Sequence, residues 1–150
     1  MGPRRAAREV ALQALYLLEV RGEEEGGRSL GLFWEHFGEP AGTASGFARE
    51  LVDVVRDRCA EIDGLLQECM EHWKLARLSR VDLCLLRLGA GELLGRPEIP
   101  ASVTINEAVE IARRFGSEES AAFVNGVLDQ VAKRLGKAGL RPAADASEQG

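Results

Sequence analysis

Three arginines, Arg4, Arg5 and Arg8, lie close together near the start of the chain. Pro3 just before them suits the first position of a helix, so they crowd its opening turns. Cations there oppose the helix macrodipole, by roughly a few tenths of a kcal/mol each, and capping rules would place acids instead. Guanidinium forks beside free helix N–H groups suit a phosphate, so this corner reads as an anion site. Other reactive chemistry is sparse. Nucleophilic catalysis needs a nucleophile oriented by a base and a third group. Of the two histidines, His36 follows an aromatic helix face with no serine or cysteine placed near it. Cys59, Cys69 and Cys84 are widely spaced, form no CxxC and read as buried reduced thiols. Cys69 and His72 share a helical face at i, i+3 and could supply half a metal site. Structural zinc takes four ligands and no others are evident, so neither metal nor cofactor is expected. The Glu107/Glu110 and Glu118/Glu119 carboxylates read as helix surface and first-turn acids. With no P-loop, HExxH or paired-Asp motif, the chain reads as a binding protein rather than an enzyme.

The elements that would position these residues are helices. A chain of 150 residues is most simply one domain, and at that size roughly 68–70% of the unfolded surface can be buried without a disulfide or metal. No apolar run approaches a membrane span, and the N-terminus has no secretory h-region, which makes the cytoplasm the default. A net charge of −5 argues against a protein coated for duplex nucleic acid, while leaving room for a local basic patch. The first helix is predicted from about Arg4 to Val20, burying Ala7, Val10, Ala11, Ala14 and Leu18. Residues 22–28 read as a flexible acidic loop, and Ser29 as the start of a short helix with Leu30, Phe33, Trp34 and Phe37 inward, stopped by Gly38-Glu39-Pro40. A long helical pattern runs from about Gly46 to Met70, with Gly64 as the point where it could bend or divide. Residues 71–78 contain a break. Ser79 with Asp82 opens the next helix in capping-box fashion, and Gly89-Ala90-Gly91 within it is no dinucleotide loop, because no strand precedes it.

Residues 99–135 are read as the organising stretch, two helices joined by a very short turn. Ile105, Ala108, Val109, Ala112 and Phe115 make one face. Val124, Val127, Leu128, Val131 and Leu135 make another. Gly116 ends the first helix, Ser117 caps the second, and Glu118 and Glu119 sit in its first turn. Gly126 falls mid-helix, where close approach of another backbone would compensate for its low propensity. Phe123 lies at the edge of the apolar stripe and reads equally as boundary core or exposed aromatic. The fold class is all-α, about seven helices over residues 1–136, followed by a disordered tail over 137–150.

Four stretches then bring in a resemblance: AREVALQALY (7–16), RVDLCLLRLGAGEL (80–93), TINEAVEIARRFG (104–116) and FVNGVLD (123–129). They resemble the NusB family of bacterial transcription antitermination factors. The resemblance implies two packed three-helix sub-bundles and a factor that binds single-stranded boxA RNA together with NusE, a small-subunit ribosomal protein. That pair would act in the RNA polymerase antitermination complex of ribosomal RNA operons. By residue, it implies RNA contacts at Arg4, Arg5, Arg8, Tyr16, Glu119 and Phe123, and partner contacts at Tyr16 and Asp82. Under it Phe123 is exposed as a base-stacking face. Ala6 and Ala122 stand where the family often carries basic residues, which implies weak RNA binding without the partner. A homodimer that hides the arginines is compatible with the sequence. The alternatives are a NusB-like domain of an RNA cytosine methyltransferase, which would need a further cofactor-binding domain, and a helical adaptor that binds protein alone.

Overall fold

The computed structural model describes residues 2–37 and 44–136. Within them lie seven α-helices: α1 (Pro3–Arg21), α2 (Glu23–Phe37), α3 (Ala44–Asp57), α4 (Cys59–Glu68), α5 (Arg80–Gly95), α6 (Ala101–Phe115) and α7 (Glu118–Arg134). A 3₁₀ turn, Leu75–Arg77, precedes α5. Helices α2 and α3 both pack on α1, and α5, α6 and α7 pack on one another, giving two three-helix sub-bundles. Helix α5 joins them, touching α1, α3, α4, α6 and α7.

The central element is therefore α5 rather than the α6–α7 hairpin. It is buried almost all round, from Leu83 through Leu93 with only Arg87 half-exposed. Its glycines explain how so many neighbours fit. A Cβ on Gly89 would lie 2.6 Å from Leu128 Cδ1 of α7, and one on Gly91 would lie 2.8 Å from Val55 Cγ2 of α3. The Gly-Ala-Gly run is a packing surface on two sides. Gly126 behaves in the opposite way: it is exposed, and a Cβ there would meet nothing within 4 Å, so the expected close backbone approach is absent.

Three further expectations change. The acidic stretch 22–28 is helical, not a loop, and α2 begins at Glu23 instead of Ser29. Glu23, Glu24 and Glu25 occupy its first turn, where the dipole favours them. Gly26 faces α1, where a Cβ would come within 3.1 Å of the Leu18 Cα. The glycine serves close packing there. Second, the long helix divides at Arg58 (φ −117°, ψ 27°), not at Gly64, which is exposed with open space around its Cα. The division lets α3 pack on α1 and α5 while α4 turns toward α5 and α7. Third, Phe115 is 45% exposed, off the inner face of α6. Leu30 and Trp34 are buried as expected and Phe33 is half-buried. The Gly38-Glu39-Pro40 stop and the tail over 137–150 lie outside the described residues.

Candidate nucleic-acid interface

Both predicted serine caps form. The Asp82 amide donates to Ser79 Oγ (3.1 Å) at the start of α5, and the Ser120 amide donates to Ser117 Oγ (3.0 Å) at the start of α7. These caps fix the two helix ends that carry Asp82 and Glu119.

The N-terminal arginines divide by helical face. Arg5 donates from Nε and Nη2 to Glu107 of α6 (2.6 and 3.0 Å). Its side chain keeps 32% of its surface exposed. Arg4 is exposed and lies over the Phe47 ring, 4.5 Å from its centroid. Arg8 is different: it is 4% exposed and gives both prongs of its fork to Glu92 of α5 (2.7 and 2.6 Å). Glu92 is itself 1% exposed and also accepts from the Thr104 hydroxyl of α6 (2.8 Å). Arg8 is thus enclosed by three helices and presents no cation to solvent. All three arginines line one recess, but Arg8 does so only from its buried wall, with its fork already committed to Glu92. Around Arg5, the hydrogen bond from its guanidinium holds the Glu107 carboxyl below the usual carboxylate range, against the opposing effect of burial.

A seam runs from this corner between α1 and α6. Glu9 of α1 accepts from Arg114 of α6 (2.9 Å), one turn along α1 and two along α6 from the Arg5–Glu107 pair. Tyr16, 41% exposed, falls on the same face of α1 as Arg5 and Glu9, about 10 Å further along the axis than Glu9. Arg114 also covers the Phe115 ring, 5.4 Å from its centroid, where α6 ends.

Beyond the α6–α7 turn a cleft of about 410 Å³ opens, lined by Trp73, Arg77, Asp82, Glu119, Ser120 and Phe123 among others. Phe123 is half-buried, packed on the core and edge-on to Trp73, with centroids 5.8 Å apart and planes at 67°. Both readings of Phe123 are therefore partly right. The Ser120 hydroxyl donates to Asp82 Oδ2 (3.4 Å), tying α7 to α5 across the floor. The expected residues thus gather in two places. Arg4, Arg5 and Arg8 line one recess with Val103 and Glu107, whereas Asp82, Glu119 and Phe123 line the cleft. Sequence reasoning passed over Trp73, Arg77 and Arg114. The first two sit in the segment read only as a break, where an aromatic followed by cations outside any helical pattern was the available signal.

Burial pushes the Cys84 thiol up to about 12 and raises Cys59 and Cys69 as well, so none of the three is poised as a thiolate. Cys69 is half-buried and His72 exposed, and among the described residues no three or more potential ligands cluster around a metal-sized space. No described helix is long and apolar enough to cross a membrane.

Two sub-bundles joined through α5, with an arginine-carboxylate seam between α1 and α6 and an aromatic cleft at the start of α7, define an all-helical protein of this architecture. The chain belongs to the NusB family, whose model matches residues 5–133. It is 49% identical over 140 residues to the transcription antitermination protein NusB of Myxococcus xanthus, covering 91% of this chain and 99% of that one. Among solved structures, T. maritima NusB matches with a TM-score of 0.78 and 39% identity, over 89% of this chain and 92% of that chain. A crystal structure of the antitermination factors NusB and NusE in complex with dsRNA matches with a TM-score of 0.79 and 28% identity, over 89% of this chain and 98% of that one.

Proposed function

We propose that this chain is a cytoplasmic transcription antitermination factor that binds single-stranded boxA-type RNA together with NusE, within the RNA polymerase complex that transcribes ribosomal RNA operons. The observation that carries the reading is the placing of charge and aromatic side chains along α6 and just past it: an arginine corner paired to Glu107, the Glu9–Arg114 pair near the end of α6, and a cleft lined by Glu119 and Phe123 where α7 follows it. Arg4 and Arg5 take phosphates, Tyr16 lies along the path, and Glu119 and Phe123 meet the RNA beyond the turn. Tyr16 and Asp82 meet NusE. Arg8 serves the same surface from beneath by holding α1 against α5 and α6.

Arg5 is already engaged by Glu107, so a phosphate gains it only by displacing a carboxylate. The phosphate must compete with that carboxylate, and the molecule as a whole is negative. Both facts favour weak RNA binding by this chain alone and stronger binding when a partner adds surface, which is avidity without a new contact on Arg5. The test is fluorescence anisotropy with a labelled boxA-type RNA, with and without NusE. Saturable binding, tightened by NusE and weakened by Arg5→Ala, is the expected result. Binding of NusE with no RNA dependence would replace this reading by that of a protein-only adaptor.

A further inference from the structure

We propose that Trp73, Phe123, Arg77 and Glu119 form a subsite for one unstacked nucleotide, in which the Trp73 indole stacks on the base, Glu119 accepts from its N–H edge and Arg77 takes its phosphate. This rests on the RNA-binding reading above and adds to it a residue-level site centred on Trp73.

Trp73 is 52% exposed, an unusual position for the largest apolar side chain. It is nevertheless held in place. Gln67 donates from Nε2 to the Trp73 carbonyl (2.7 Å) and accepts from the Leu75 amide (3.2 Å), which pins the turn that carries the ring. A ring presented by a fixed backbone stacks on a base with little ordering cost. Trp73 and Phe123 meet at 67° and so make a corner, both line the cleft, and half of the Trp73 surface is exposed.

The charged groups on the same walls select the occupant. Arg77 and Glu119 are exposed, and neither has a side-chain hydrogen bond or ion pair with any described residue. That sets them apart from Arg5, Arg8, Arg87, Arg96, Arg113 and Arg134, which all hold carboxylates. A basic side chain would be drawn by Asp82 and Glu119 but repelled by Arg77, and an acidic one would meet the reverse. A nucleotide offers all three complements at once: a flat π face, N–H donors on the base edge and an anionic phosphate. The cleft, at about 410 Å³, is of the size that holds a single small ligand unit.

The experiment uses tryptophan emission of the native chain. Of its two tryptophans, Trp34 is 9% exposed on α2, so an exposed-indole signal belongs to Trp73. Titrating a boxA-type RNA oligonucleotide into the chain with NusE already bound should quench that emission. Trp73→Ala should weaken RNA binding roughly 5- to 100-fold, the range of a lost base–aromatic stack. Trp73→Phe should recover most of it. Arg77→Ala should flatten the log affinity against log salt plot by about 0.7. RNA that binds without changing the emission, or binds Trp73→Ala as tightly as the native chain, overturns the subsite and leaves the RNA-binding function standing. If Trp73→Ala fails to fold, the quenching of the native chain decides alone. No RNA binding by the native chain with NusE overturns both.

Discussion

Arg5 and Arg8 are the same residue type, less than one helical turn apart, and they do opposite things. Arg5 faces the outer seam between α1 and α6, where its ion pair with Glu107 stays partly solvated. Arg8 is rotated about 60° around the helix and points inward, where Glu92 and Thr104 enclose it. The outer pair is partly solvated and the inner pair is enclosed. A charge cluster in a sequence is therefore not yet a binding site, because helical phase decides which charges reach solvent. Phase alone was still not enough here. Glu92, the partner that makes burial of Arg8 tolerable, lies 84 residues away.

The largest effect should come from breaking the inner pair. Arg8→Ala leaves the Glu92 charge buried without its fork, and an unfolding curve in urea should show a loss of about 3–5 kcal/mol. If instead stability is unchanged and only RNA binding falls, the contrast between the two arginines is wrong. Next in size is Gly89→Ala on the same central helix. Its methyl would meet the fully buried Leu128 at 2.6 Å, and overpacking of this kind costs about 1–3 kcal/mol by the same measurement. Gly126→Ala is the matched control: its site is open, so the replacement should stabilise α7 by about 0.5–1 kcal/mol.

At the outer pair the expectations are smaller and fall on binding. Arg5→Ala should change stability by no more than about 1 kcal/mol, as for other partly exposed ion pairs. It should flatten the salt dependence of RNA affinity by about 0.7, one counterion released from a single strand. The smallest effect concerns acid. Glu107 is held below its ordinary value of 4.5, first by the hydrogen bond from Arg5, so folding favours its charged form. Its contribution is present in full above about pH 4.5, where the unfolded chain also carries the charge. It is lost as pH falls through the lower folded value, since the unfolded chain binds the proton first. Thermal melts from pH 7 to pH 3 should therefore fall less steeply for Glu107→Gln than for the native chain.

The fold was legible where the signals are local. Serine caps at 79 and 117, the apolar spacing of α7 and the short α6–α7 turn all depend on neighbours within a few residues, and all stand in the structure. The reading failed where glycine was taken as punctuation. Gly26 packs against α1 inside α2, and Gly64 interrupts nothing; Gly89 and Gly91 were read within a helix, but not as the places where α7 and α3 approach α5. Glycine has the same local signature whether it ends a helix or lets another helix approach. The cleft was half legible: Phe123, Glu119 and Asp82 sit in readable helices, while Trp73 and Arg77 sit in a segment without periodicity.

By itself, then, the sequence determined the helical class, the capped ends of α5 and α7, and the presence of both a cationic corner and an aromatic edge. Each of these follows from spacing along the chain, which is short-range information. Only the tertiary structure decided that Arg8 belongs to the core, that α5 and not the α6–α7 hairpin is the hub, and that Trp73 stands beside Phe123. Those facts depend on which side chains from distant segments share a small dry volume, and burial is a property of that assembly, not of any residue's own neighbours in sequence.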